Sequence, residues 1–440
     1  MEGSSAKKIV VMGGGSTLFA PSLVMSFIRE PSLRGSTIAL VDIDEKKLDG
    51  VYKLGRRMLD ITGADYTLER TTDRLEALPG ADFVVTSVEV DRFATWENDR
   101  AIPKQFGIEQ ALGENGGPGG LFHAMRQIPI VVDICHDIEK LCPNAMVLNL
   151  SNPMSRILQA VHMYTKVRFL GLCHEIVDGG DLVSKLLEIP EEKLHIVAAG
   201  LNHFTWFLKI THAETGEDLY PRVKKEFLDN ILIDRLLIAD LLRLTGYLSV
   251  TSDSHVGEYL PGGHIFSTSL RPDFDPLPFF EYYKIYVKGM EEKMESLISG
   301  QYPVEEFIKE GPPEILGEIL LDVISQLVQG ATKRFPALNL PNEGYISNLP
   351  PHCVVEVPAW VEQGKIRGEP VGSLPHLIAG WCNLQASIQF LNAKAAVEGD
   401  RQSALEALLL DPVVPDRYTA EKCLDAMLEA NRRYLPRFFK

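Results

Sequence analysis

Two short stretches hold the residue types that metal and proton chemistry requires. GLCHEI, residues 171–176, sets Cys173, His174 and Glu175 side by side, and thirty residues after the cysteine GLNH ends in His203. One thiolate and one imidazole make an incomplete protein shell, which leaves positions for substrate oxygens and water as a catalytic metal requires. The plainer alternative is a buried thiol near a hydrogen-bonded core histidine, and spacing alone favours it, since neither CxxC nor HxxxH is present. Three further stretches carry candidate chemistry. GENGGPGG (113–120) is a flexible glycine loop bearing Glu114, either a lid carboxylate or only a loop. NLSNP places Asn149 and Asn152 just after an apolar run, where amides orient a sugar or cap the following helix. TSDSHVGEY concentrates Asp253, His255 and Glu258, which are general bases or a polar turn.

These residues need a scaffold, and the first 200 positions describe one. Short β-branched runs (KKIVVMGGG, STIALVDID, DFVVTSVEV, AMVLNLSNP, VRFLGLCHE, LHIVAAGLNH) alternate with helical periods from Ser22, from Glu45 and over His123 to Leu141. Apolar runs of that length between helices predict a parallel sheet covered on both faces, a doubly wound α/β domain over residues 1–203. Cys173 then falls at the C-terminal end of a strand, where such sheets bind ligands, and His203 at the end of another. Beyond Phe204 the pattern predicts long helices over Arg222–Leu244, Glu281–Ile298 and Pro313–Gln329, a β stretch VVEVPAWV, and helices to the end. Residues 204–440 are therefore expected to form a mixed α+β domain. Gly246 to His264 is too polar and glycine-rich for a simple helix.

The first strand ends in GGGSTL. Gly13 and Gly15, followed by Ser16 and Thr17, supply a tight turn that lets backbone N–H groups approach a pyrophosphate at a helix N-terminus. Leu18 stands at the third glycine position of GxGxxG, so the fingerprint is incomplete. The second strand ends in VDID, and Asp42, ahead of Asp44, is placed to accept hydrogen bonds from an adenosine ribose, which favours NAD over NADP. The alternative is a structural glycine turn beside a solvated acidic loop.

Composition sets the outer bounds. A chain of 440 residues predicts two domains, and 45% hydrophobic with 24% charged residues is an ordinary globular balance. No apolar run reaches the ~20 residues of a membrane span. The N-terminus lacks the apolar core and cleavage site of a signal peptide, so a cytoplasmic setting is expected. Six scattered cysteines read as reduced thiols. A net charge of −16 disfavours nucleic acid and anionic membranes, leaving a small molecule as the expected partner.

Taken together, GGGS, VDID, the GPGG loop after Glu114, SNP, GLCHEI, GLNH, TSDSHVGEY and SNLPPHCVVEVPAWV resemble, in family order and over nearly the whole chain, glycoside hydrolase family 4. The resemblance implies a first domain of the lactate/malate dehydrogenase type and a glycosidase that uses NAD and a divalent metal, usually Mn²⁺. On this resemblance Cys173 and His203 are the metal ligands, Asn152 contacts the sugar near the cofactor, Glu114 hydrogen-bonds it, and His255 joins the substrate-binding residues. Gly13, Gly15, Ser16, Thr17, Asp42 and Asn149 fall to the cofactor. Asp253 falls where several members carry the base that removes the C2 proton, although some use a tyrosine in that region. His174 takes the position of the acid and either donates a proton or orients a hydroxyl.

The implied reaction oxidises the sugar at C3, removes the C2 proton, eliminates the aglycone, adds water and returns the hydride. C-H-E-I, unlike the C-D-M-P and C-N-V-P of 6-phosphosugar members, points to non-phosphorylated α-glycosides. CHE and NHFTWF are similar to α-galacturonidase-like members, GYLSVTSDSHVGEY and SNLPPHCVVEV to α-galactosidases. An α-glucoside or α-glucuronide by the same mechanism is the alternative. A homodimer or homotetramer is implied as well. The competing readings are an NAD-dependent 2-hydroxyacid dehydrogenase, which would release NADH stoichiometrically, and an NAD-binding sensor that needs no metal.

Overall fold

The apolar runs of the first half become six parallel strands: β1 (Lys8–Met12), β2 (Thr37–Val41), β3 (Thr67–Thr71), β4 (Phe83–Thr86), β5 (Met146–Asn149) and β6 (Arg168–Gly171). In this computed structural model, which describes residues 6–17, 19–232, 235–268, 279–311 and 316–440, they are ordered β3-β2-β1-β4-β5-β6, the doubly wound arrangement. The strands β7 (Leu194–Leu201), β8 (Phe204–His212), β9 (Lys333–Pro341), β10 (Val354–Glu362) and β11 (Lys365–Gly368) extend the same sheet. Here β9 pairs antiparallel with β6, then β10, β7 and β8 follow, with β11 beside β10. The sheet is thus continuous through residues 202–203, which form the turn between β7 and β8.

Strand periodicity explains the two covered faces. Ile9, Val11, Ile38 and Leu40 point to a core shared with Leu23 and Phe27 of the helix Phe19–Arg29. Val10, Met12 and Val84 point the other way, into a core with Met125 and Ile128 of the helix Gly117–Leu141 and with Leu405 and Leu424 of the C-terminal helices. Buried polar ties fasten those last helices to the first half: Arg126 donates to Asn431 Oδ1 at 3.0 Å, and Arg156 to Asn392 Oδ1 at 3.0 Å.

Some expected elements differ. The stretch Arg222–Leu244 contains two helices, Tyr220–Asp229 and Leu236–Thr245, the second starting where Asp253 receives its free N–H groups. The glycine loop is less mobile than its composition suggests. Residues 114–120 are buried, and Gly117 onward is already helix, because Pro118 suits the first turn and Glu258 binds the N–H groups ahead of it. Strand β3 lacks an apolar signature, since only Leu68 is buried. Pro313, where the third long helix was expected to begin, and Leu18 lie outside the described residues.

Register fixes the site. A single row crosses the sheet: Val41 pairs with Met12, Met12 with Thr86, Thr86 with Asn149, and Asn149 with Gly171. It continues from Gly171 to Asn339, Glu356, Gly200 and Thr205. The glycine turn, Asn152, Cys173 and His203 all leave the sheet within three residues of this row.

Candidate active site

The turn after β1 is built by glycine. Gly13 has φ +88°, and a Cβ there would lie 2.0 Å from the Ser87 carbonyl oxygen. Gly13 and Gly14 donate to Val41 O at 2.9 Å each, and Gly15 N–H donates to Asp42 Oδ2 at 2.9 Å. A Cβ on Gly15 would meet that carboxylate at 2.8 Å, so only glycine lets Asp42 close on the turn. Asp44 is used differently: it caps the helix Glu45–Thr62 by accepting from Lys47 N at 3.0 Å. Ser16 Oγ accepts from Phe19 N at 3.2 Å, and Thr17 is half-buried beside it. Asn149 is held by Thr86 Oγ1 at 2.8 Å and donates to Ser151 O at 2.9 Å, whereas the buried Oδ1 of Asn152 has no hydrogen-bond partner.

The cysteine and histidine do meet. Ligand atoms of Cys173, Glu175 and His203 lie within 4.8 Å of one another. His203 sits in the β7–β8 turn with φ +62°, and its buried Nδ1 has no hydrogen-bond partner. Its Nε2 is 4.0 Å from Glu175 Oε1, which accepts from Thr251 Oγ1 at 2.6 Å. Burial lowers the His203 pKa, with Glu175 opposing, and so keeps the ring neutral, the form that ligates. Burial, with the charges of Glu175 and Glu356, pushes the Cys173 thiol well up. A cation at this point would reverse that and hold the thiolate. Sulfur, imidazole nitrogen and carboxylate oxygen are a donor set that fits a divalent ion. His174 is half-exposed at the start of its helix, with its Nε2 3.5 Å from Asp178 Oδ2.

A second acid–histidine group adjoins the first. Glu258 Oε2 accepts from the N–H groups of Glu114 (2.7 Å), Asn115 (2.8 Å) and Gly116 (3.2 Å), which fixes the glycine loop. Arg92 pairs with Glu114 and, at 2.9 Å, with Glu89. His123 bridges the Glu114 carbonyl (2.9 Å) and Glu89 (3.1 Å). Burial would raise the Glu114 carboxyl, but Arg92, His255 and His123 outweigh it and hold it at about 2. His255 stands between the groups, 3.8 Å from Glu175 Oε1, 3.7 Å from Glu258 Oε1, and with its ring 4.6 Å from that of His203.

Asp253, read from sequence as the base, is buried at the start of a neighbouring helix. Its two oxygens accept from Leu237 N and Ile238 N at 2.9 Å each, capping the helix Leu236–Thr245. Both of its oxygens thus serve the start of that helix in this structure. The structure also brings in Glu175, Arg92, His123 and Glu356, for which the sequence suggests no role, and Glu258, read from it only as a base or part of a polar turn. One signal was present: Glu356 is a lone acid in the apolar run VVEVPAW.

Glycine cradle, carboxylate at the end of β2 and a ligand set at the strand ends define a dinucleotide-binding α/β enzyme with a metal-competent centre. The fold is shared with malate and lactate dehydrogenases, at TM-scores of 0.51 and 0.53 and 13% identity. The family 4 glycosyl hydrolase model matches residues 8–189, and that of the family's C-terminal domain matches residues 198–414. An α-glucosidase of Erwinia rhapontici is 32% identical, over 98% of this chain and 99% of its own length. An α-galactosidase of Bacillus subtilis (strain 168) is 28% identical over 98% and 100%. Among solved structures, a 6-phospho-α-glucosidase from gut microorganisms in complex with NAD and Mn²⁺ matches with a TM-score of 0.83 and 25% identity, over 98% of this chain and 99% of that one. The chain belongs to glycosyl hydrolase family 4 and is a glycoside hydrolase.

Proposed function

We propose that this chain hydrolyses non-phosphorylated α-glycosides, an α-galactoside or α-galacturonide first, with NAD and Mn²⁺ bound. The observation that carries the reading is that the glycine turn, Asn152 and Cys173 leave the C-terminal ends of parallel strands on one rim, and that ligand atoms of Cys173, Glu175 and His203 meet there within 4.8 Å. With strands about 4.8 Å apart, Met12 and Gly171 are three strand spacings from each other, a separation of roughly 15 Å that suits a dinucleotide lying along the rim.

When bound, NAD supplies a hydride acceptor and Mn²⁺ a Lewis acid. The chain does the rest. The glycine turn would bring the pyrophosphate to the N-terminus of the helix Phe19–Arg29 and Asp42 would accept from the ribose, while Cys173 and His203, joined by Glu175, would hold the metal. The open amide oxygen of Asn152 accepts from a sugar hydroxyl, and Glu114, kept ionised by Arg92, accepts from another. His174, at the exposed start of its helix, orients a hydroxyl or passes a proton to the departing aglycone. Deprotonation at C2 falls to His255, the side chain between the two acid groups. In the metal-free chain burial disfavours its charged form, yet Glu258, Glu175 and Glu114 raise it to about 9. His203, if it held a cation, would bring a positive charge beside His255 that would favour the neutral ring a base requires.

Residues 1–203 supply the cofactor side and the metal ligands, and residues 204–440 supply His255 and Glu258. The exposed Tyr282 and Ile285 of the helix Phe279–Ser299 suit packing against a second copy, as a homodimer or homotetramer. Six free cysteines suit a reducing, cytoplasmic compartment. Among the described residues no helix is long and apolar enough to cross a membrane.

A panel of aryl α- and β-glycosides, neutral, uronate and 6-phosphorylated, assayed with and without NAD⁺ and Mn²⁺ under reducing conditions, tests the reading. Turnover is expected on a neutral or uronate α-glycoside, only with both additions and with no net NADH. Stoichiometric NADH release, or turnover of 6-phosphosugars alone, would overturn it.

A further inference from the structure

The registers that place Cys173 and His203 converge on one buried carboxylate to which the proposed function gives no role. Glu356 is the third residue of β10 and is 2% exposed. It pairs with no lysine or arginine among the described residues. Every contact it makes is with a donor: Thr205 Oγ1 at 2.6 Å, Asn339 Nδ2 at 2.9 Å and Asn202 Nδ2 at 3.2 Å. Taking a carboxylate out of water without a cation is unfavourable, and a β-branched residue would fill a central strand position more simply. The contacts show what the carboxylate does there. Asn202 immediately precedes His203 in the turn between β7 and β8. Because the Glu356 carboxylate offers only acceptors, the Asn202 amide nitrogen must face it. Asn339 is the register partner of Gly171, two residues before Cys173, and Glu356 that of Gly200, three before His203.

We propose that Glu356 is a positioning residue for the metal centre: through Asn202 it holds the His203 turn, and through Asn339 the strand end that leads to Cys173, in their ligating arrangement, and so sets the affinity for Mn²⁺. The inference rests on Cys173 and His203 being the metal ligands. A carboxylate suits the task because it offers only acceptors to three converging donors. Partners one bond beyond a metal ligand typically change metal affinity by about 10–100-fold when removed.

The test is Mn²⁺ binding to the metal-stripped full chain, read by the EPR signal of the free ion without NAD or sugar, alongside the melting temperature of the metal-free protein. Glu356→Ala and Asn202→Ala are each expected to weaken binding about 10–100-fold. Glu356→Gln is expected to recover most of the loss. Its oxygen still accepts from Asn202, and Thr205, which already reaches Leu201 O at 3.0 Å, turns to accept from the new amide. Wild-type affinity in a folded Glu356→Ala protein overturns the proposal, as does a Glu356→Gln protein as defective as Glu356→Ala. If Glu356→Ala does not fold, Asn202→Ala decides, and wild-type affinity there overturns it equally. Cys173→Ser separates the two readings: unchanged Mn²⁺ affinity in that variant rejects the ligand assignment itself, whereas loss there with none in the Asn202 and Glu356 variants rejects only the positioning role.

Discussion

Cys173, Glu175 and His203 on one side of His255, and Glu114 and Glu258 on the other, are groups of similar side chains whose hydrogen bonds make them different devices. In the second group the lone pairs are engaged. Glu258 receives three backbone N–H groups and the Asn115 amide, and Glu114 faces Arg92. In the first group the His203 Nδ1 is open and Glu175 holds one hydroxyl donor, Thr251. Identity of residue type therefore does not define a metal centre. What defines it is donor atoms that the fold leaves unengaged while holding them in place.

The largest effect that this contrast predicts separates Cys173→Ser from Glu258→Ala. Cys173→Ser should weaken Mn²⁺ binding by more than the roughly 100-fold seen for outer partners and remove most activity, with little change in melting temperature. Glu258→Ala should do the reverse: each buried N–H left unpaired is worth about 1–3 kcal/mol, so the chain melts much earlier while Mn²⁺ affinity holds. Calorimetry and metal titration on both variants check the pair, and a metal defect in Glu258→Ala alone would merge the two groups into one.

A smaller effect concerns pH. Because Glu114 is held at about 2 against an ordinary 4.5, its contribution to stability is complete above 4.5 and is lost as pH falls towards 2. Thermal melts should therefore fall steeply across that window, and Glu114→Gln should flatten part of the slope. Parallel curves for the two proteins would mean that the Arg92 pairing does not stabilise the loop.

The smallest effect is expected at Asp253. Asp253→Asn keeps one acceptor for the helix Leu236–Thr245, so it should lower stability by about 1 kcal/mol, as a weakened cap does, and leave turnover nearly intact. Loss of a general base would instead reduce kcat by roughly 10²–10⁴-fold, which kinetics at saturating substrate would reveal at once.

The same contrast explains what could be read from the sequence. Gly13, Gly15 and Asp42 were legible because turn, strand and acid follow one another within one βαβ unit. Cys173 and His203 were legible as ends of apolar runs, and the structure does bring them together. Glu258 was visible only as part of a polar segment, because its partners lie 142 to 144 residues away. Glu356 is bound to Asn202 over a separation of 154 residues. Local spacing cannot carry such pairings, which arise when β10 enters the sheet between β9 and β7. Asp253 shows the converse: a carboxylate that the sequence places only in a polar cluster also caps a helix through Leu237, 16 residues earlier.

The central claim is that a glycosidase reaction here passes through removal of the C2 proton on a rim shared by cofactor and metal. Running turnover of the preferred α-glycoside in D₂O, with NAD⁺ and Mn²⁺, and following C2 of the released sugar by NMR tests it most directly. The account predicts deuterium at C2, appearing only when both additions are present and without net NADH. Product that retains its full C2 proton signal at complete conversion would contradict it.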